Sequence, residues 1–311
     1  MTKYFKISVI SIIVFAANVN AQQDPLYAQY QFNGLVINPA YAGTHEVLSA
    51  TLLYRNQWVN MPGAPKTFTF SADAPFRKNK VGLGMTVIAD KIGITKRNAL
   101  NGIYSYKIPM KKATLALGVQ MGLSFFSSNY TDVNYDNRNR STDNAFSQNT
   151  SNTYPNIGFG AYYFTDKYYI GASMPSFINS SLLEKYFSKP DAYNFSQSNH
   201  MFITGGYVFD INSDLKIKPS ALMVYVYGAN PQVDINTTAW LFETLGLGVS
   251  YKSFDAVNAF TEIKVLPQLY FGYAFEYSLT NLRNYNSGTH EIMLRYDFDF
   301  AHPRVITPRY F

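Results

Sequence analysis

Four histidines, His45, His200, His290 and His302, are the first places to look for chemistry near neutral pH. No H-E-x-x-H pair, nucleophile elbow G-x-S-x-G or P-loop occurs anywhere in the chain. Cysteine is absent, which removes disulfides, thiol catalysis, zinc-thiolate sites and cysteine lipidation together. Asp132, Asp136 and Asp143 could ligate calcium, but their spacing matches no loop of known geometry. A solvated surface loop accounts for the same Asn-, Asp- and Ser-rich stretch. Three G-x-G pairs (Gly82 and Gly84, Gly158 and Gly160, Gly246 and Gly248) fail as nucleotide fingerprints, since no helix follows and the third glycine is missing. A Ser, His and polar partner brought together on adjacent strands stays open on spacing alone. Even so, nothing assembles a nucleophile, base and orienter, so the sequence points away from an enzyme and requires no cofactor and no metal.

The elements that carry these residues read as strands. In 66–75, Phe68, Phe70 and Ala72 alternate with Thr67, Thr69, Ser71 and Asp73, a period of two with a sharp polarity difference. The pattern repeats over 80–90, 115–125, 269–277 and 288–298, and more weakly over 95–108. With 49–58, 156–164, 168–174, 200–210, 215–227, 232–241, 243–252 and 256–265, about fourteen strands result. A soluble sandwich also alternates. Here, however, the apolar face is aromatic at both ends of many strands, and 26 Tyr and 24 Phe supply rings for two membrane–water boundaries. Connection lengths agree. If the N-terminus is periplasmic, the short links fall on that side and the long ones, 127–155 and 175–199, fall outside. The expected fold is therefore all-β, a single transmembrane antiparallel barrel of about 14 strands with an ordered N-terminal arm.

Residues 1–21 read as a signal peptide, with Lys3 and Lys6 before an apolar run and Val19-Asn20-Ala21 at its exit. Its removal lowers the formal charge of +6 by two, and no dense Lys/Arg stripe offers a nucleic-acid surface. The mature chain has no apolar run of the roughly 20 residues that a membrane helix needs. Residues 22–48 form the arm, which is too apolar for a solvated tail and, with Pro25, Pro39, Gly34 and Gly43, unsuited to a regular element. An irregular segment of this kind should be buried, with its amides satisfying unpaired backbone. The inward G-x-G strips thin the inner wall, so the arm is expected to enter the lumen and pack on them. The barrel itself is expected over 49–300, with a periplasmic tail over 301–311. Basic residues at Arg77, Lys78, Lys80, Lys107, Lys111 and Lys112 read as solvated periplasmic turns or as a docking patch. The external loop after residue 175 carries Phe177, Leu182, Leu183, Tyr186 and Phe187, and 180–187 could form a short amphipathic helix.

Asp24-Pro25-x-Tyr27, Tyr30-x-Phe32-Asn33 and Asn38-Pro39-Ala40-Tyr41-Ala42-Gly43 are followed by Arg55-x-Gln57-Trp58 and Gly63-Ala64-Pro65-Lys66-Thr67. Together they resemble the amino-terminal signature of the PorP/SprF family of type IX secretion system membrane proteins from Bacteroidetes. Gly34 departs from it, standing where many members have proline. The resemblance implies an outer-membrane barrel that takes part in protein secretion and, in gliding bacteria, in the export or surface attachment of large adhesins. Implied partners are ring or lipoprotein components of the machine on the periplasmic side and a secreted adhesin's C-terminal domain on the outer side. It assigns the quoted residues to structure or interaction. The competing expectation is a passive outer-membrane channel or transporter for small apolar molecules, with a soluble exported β protein as a third.

Overall fold

The computed structural model describes residues 26–77, 79–130, 149–177, 199–226 and 229–298. Alternating sequences become antiparallel strands, most of them with burial that alternates along the chain. The fifteen strands are β1 (Leu48–Asn56), β2 (Lys66–Phe76), β3 (Val81–Ile92), β4 (Thr95–Pro109), β5 (Thr114–Ser128), β6 (Thr150–Phe164), β7 (Tyr168–Met174), β8 (His200–Tyr207), β9 (Phe209–Asp210), β10 (Leu215–Val226), β11 (Gln232–Leu241), β12 (Leu245–Lys252), β13 (Ala256–Leu266), β14 (Leu269–Ser278) and β15 (Thr289–Phe298). Fourteen close a ring in chain order, sealed where β15 pairs with β1 and Leu52 lies opposite Leu294. The two-residue β9 pairs only with β10, in the register that β8 already sets (Ser220↔Gly206, Ile217↔Phe209). The strand expected over 200–210 is thus interrupted at Val208, whose N–H turns to the Lys167 carbonyl of the neighbouring turn (2.7 Å).

One face of the wall is greasy and open, the other polar and shut. Outward positions include Phe68, Leu100, Tyr104, Val119, Phe159, Ile235, Phe271 and Leu294, all exposed. Inward positions include Thr67, Ser71, Asn101, Ser105, Thr238, Asn258 and Glu291, all buried. This inverts a soluble core and is the pattern of a wall that meets lipid outside. The weakly alternating 95–108 is a full strand with Ala99, Asn101, Ile103, Ser105 and Lys107 inward. Its periodicity is blurred because Asn98 faces outward while Ala99 and Ile103 face inward. β6 starts at Thr150, six residues before the expected start, because it keeps pairing with β5 up to Ser128. Links at one end are short: residues 110–113, 165–167, 242–244 and 267–268. The long ones, 129–149 and 175–199, lie at the other, which we take as the external end. The expected helix over 180–187, the calcium-ligand candidates, the signal segment and the tail over 301–311 fall outside the described residues.

Candidate functional site

The polar inner face is shut because the arm lies against it. Two short 3-10 turns, Gly34–Val36 and Pro39–Tyr41, shape the arm, and residues 27–33 and 37–43 are buried. Asn38 starts the second turn. Its Oδ1 accepts from the Ala40 N–H (2.9 Å), while its Nδ2 donates to the Ala161 carbonyl of β6 (3.0 Å). One amide thereby caps a turn and ties it to the wall, with Pro39 at the first turn position where its missing donor costs nothing. At the periplasmic end, the Gly43 N–H donates to Asp73 Oδ2 (2.6 Å), and the Lys107 ammonium donates to the Gly43 carbonyl. Lys107, read as part of a solvated turn, is instead inward and buried, because β4 runs on to Pro109.

Higher in the lumen, Glu291 of β15 accepts from the Ala28 N–H (2.8 Å) and the Gln29 N–H (3.1 Å). Arg55 of β1 donates to the same Glu291 and to Glu276 (3.0 Å), and Lys252 donates to Glu276 (2.7 Å). Arg295 meets Glu262 (3.2 Å) and stacks over Tyr270 (4.1 Å). The inner wall thus carries buried ion pairs among its small neutral positions. Tyr27 shares a hydrogen bond with Thr69 (2.6 Å), Tyr30 accepts from Asn236 (2.7 Å), and Asn33 donates to Ser71 (2.8 Å). Burial holds the phenols of Tyr27, Tyr30 and Tyr41 well above the usual tyrosine range, so they stay neutral. Phe32 packs edge-on against Trp240 (5.9 Å) and Phe260 (5.7 Å), and Tyr41 against Tyr162 (5.6 Å).

The glycine strips divide. A Cβ on Gly82 would overlap the Ala42 carbonyl, and one on Gly160 would overlap the Asn38 side chain, while Gly84 lies beside Leu35. Gly118 and Gly272, not singled out from the sequence, give the arm the same room at Ala40 and Gln29. By contrast, Gly246 and Gly248 lie under the rings of Trp240 and Phe260, their partners across β11 and β13, and Gly158 meets Pro175. The aromatic rings fill those two hollows and pass the contact on to Phe32.

The remaining motif residues form a different place. Gln57 N–H bonds the Pro65 carbonyl (3.0 Å), closing the 57–65 loop at the external end. Val59 exchanges backbone bonds with Gly288 and Ser287 (2.9 Å each), and Gly63 accepts from the Gly93 N–H (2.9 Å). Trp58 and Asn60 adopt positive φ (47° and 73°), as does Gly63 (76°). Of the motif, then, Tyr27 to Gly43 line the lumen with Arg55, whereas Gln57, Trp58, Gly63 and Pro65 build the rim; Asp24 and Pro25 lie outside the described residues.

An all-next-neighbour ring of fourteen antiparallel strands with a lipid-type outer face defines the class: an outer-membrane β-barrel whose lumen holds its own N-terminal arm. The family model described as "Type IX secretion system membrane protein PorP/SprF" matches residues 19–296, and the chain belongs to that family. No curated protein matches the sequence. Among solved structures, the CymD monoaromatic hydrocarbon channel is similar at TM-score 0.52 and 10% identity, over 87% of this chain and 94% of that one. A Pseudomonas aeruginosa FadL homologue is similar over the same shares at TM-score 0.46 and 12% identity. These likenesses concern the fold alone.

Proposed function

We propose that this barrel is a membrane-embedded docking post of the type IX secretion machinery. On this reading it engages periplasmic ring or lipoprotein components beneath and supports the export or surface attachment of an adhesin through the adhesin's C-terminal domain. The family membership supports the system. The single observation that supports a post over a conduit is the arm, whose hydrogen bonds reach β2, β4, β6, β7, β11 and β15 around the ring. A segment tied to so many strands has no low-cost route out of the lumen. We assign the arm residues to holding the lumen closed, residues 1–21 to a signal peptide cleaved before the barrel assembles in the outer membrane, and 301–311 to a periplasmic tail.

The test is affinity purification of the tagged full-length protein from its own outer membrane in mild detergent, with mass spectrometry of what accompanies it. Ring lipoproteins or a large secreted adhesin are expected. Recovery of the barrel alone, together with ion conductance in a planar bilayer, would overturn this reading. That outcome would favour a channel for small apolar molecules, the activity carried in the printed name of the CymD barrel.

A further inference from the structure

Three lysines stand in one cross-strand row on the outside of the barrel. Lys66 of β2 is directly opposite Lys91 of β3, and Lys91 is directly opposite Lys96 of β4. All three are exposed, and like charges opposite one another in a sheet repel. None of the three makes an ion pair among the described residues. Outward lysines at the other end are treated differently: Lys167 and Lys216 both flank Asp210 (3.3 and 3.4 Å). Among the described residues the row is uncompensated, which makes it a place where an anion from outside the chain would bind.

The height of the row says which kind. Below Lys66 on β2, the outward residues are Phe68 and Phe70, and beside them lie Ala89 and Val87 of β3 and Leu100 of β4. The row thus caps the lipid-facing belt at its external end, where headgroups of the outer leaflet lie. Beside it, the 57–65 loop borders a half-open hollow of about 650 Å³ lined by Trp58, Met61, Pro62, Gly63, Lys66 and Lys91. The loop is held by its bonds to Gly288, Ser287 and Gly93, so the cavity is built into the rim.

We propose that this rim binds the phosphorylated headgroup of an outer-leaflet glycolipid. Lys66, Lys91 and Lys96 pair with its phosphates, the cavity receives the adjoining sugar, and the acyl chains run down over Phe68, Phe70 and Leu100. Lysine serves here as a point charge, which suits phosphates presented at variable angles by a fluid layer. The site is independent of the docking role above and involves neither the lumen nor the arm.

Native mass spectrometry of the full-length protein in detergent, with bis-phosphorylated lipid A added and its dephosphorylated form as comparison, tests the proposal. The wild type should retain the bis-phosphorylated form preferentially. Lys66→Gln, Lys91→Gln and Lys96→Gln should each weaken retention about fivefold, and the triple variant roughly a hundredfold. The triple Arg variant should bind as the wild type does, and Lys111→Gln with Lys112→Gln, at the opposite end, should change nothing. If the triple Gln variant does not fold, the single variants carry the test. Equal retention by the Gln variants, or of dephosphorylated lipid A, overturns the site. Displacement of lipid A by millimolar inorganic phosphate overturns the lipid and leaves a soluble anion.

Discussion

Gly82 of β3 lies so close to Ala42 of the arm that a Cβ on it would overlap both the carbonyl carbon and the carbonyl oxygen. Neither side can yield cheaply. Ala42 is fully buried and its carbonyl also accepts from Ser105 Oγ (2.7 Å), while Gly82 is fixed in the ladder opposite Pro75 and Ser105. Two backbones in contact leave no flexible side chain to swing aside.

Gly82→Val should therefore lift the arm off the wall without breaking the ring. Overpacking of this kind costs roughly 1–3 kcal/mol, which corresponds to a rise of about five- to 150-fold in the arm's open population. Because the chain has no cysteine, Ala28→Cys gives a clean reporter inside the lumen. Maleimide labelling of that thiol should quicken about tenfold in the Gly82→Val background. An unchanged rate would mean that the strand absorbs the strain and the arm does not depend on the glycine.

The barrel was legible from the sequence because a lipid-facing wall writes its period of two directly into residue type. Phe68, Phe70 and Ala72 against Thr67, Thr69 and Ser71 mark a strand with one apolar face, and the aromatic ends and loop lengths then separate a barrel from a sandwich. The burial of the arm was legible too, since so many apolar residues around Pro39 and Gly34 fit no regular element. The partners were not. Arg55 faces Glu291 only because β1 closes on β15, a pairing 236 residues apart that no local pattern encodes. Similarly, the glycines at 246 and 248 look like those at 82 and 84, yet rings from the next strands cover them. Nor does the sequence show that Lys107, two residues before Pro109 and grouped with Lys111 and Lys112, points inward to the arm.

Phe271 tests the face assignment. It is exposed on β14 between Ile263 of β13 and Leu294 of β15, both also exposed. Phe271→Arg places a charge on the lipid face, which costs about 2–4 kcal/mol near the midplane. The folded fraction inserted into membranes, read from the heat-dependent mobility of the barrel in gels, should fall. Normal assembly would mean that this face does not meet lipid.

Deleting residues 24–43 probes the lumen. The fourteen strands keep their ladder bonds without the arm, and water entering the lumen can solvate Asp73, Glu291 and Lys107 once their backbone partners are gone. The shortened chain should still insert, and its single-channel conductance in planar bilayers should exceed that of the full chain. Equal conductance would remove the closing role assigned to the arm while leaving the fold and family untouched.

Arg55 stands between Glu276 and Glu291 with all three side chains buried. Lys252 meets Glu276 but not Glu291, so removing Arg55 leaves Glu291, among the described residues, with two backbone N–H donors of the arm, from Ala28 and Gln29. Breaking one side of a buried pair typically costs about 3–5 kcal/mol, because a charge is stranded more than because an attraction is lost. Arg55→Met should thus lower the unfolding temperature of the barrel and speed labelling at Ala28→Cys. Adding Glu291→Gln should recover part of both losses, since the neutral amide still offers the arm an acceptor and no longer strands a charge. Equal effects of the single and double variants would mean that the guanidinium acts by packing alone, and that Glu291 holds the arm without it.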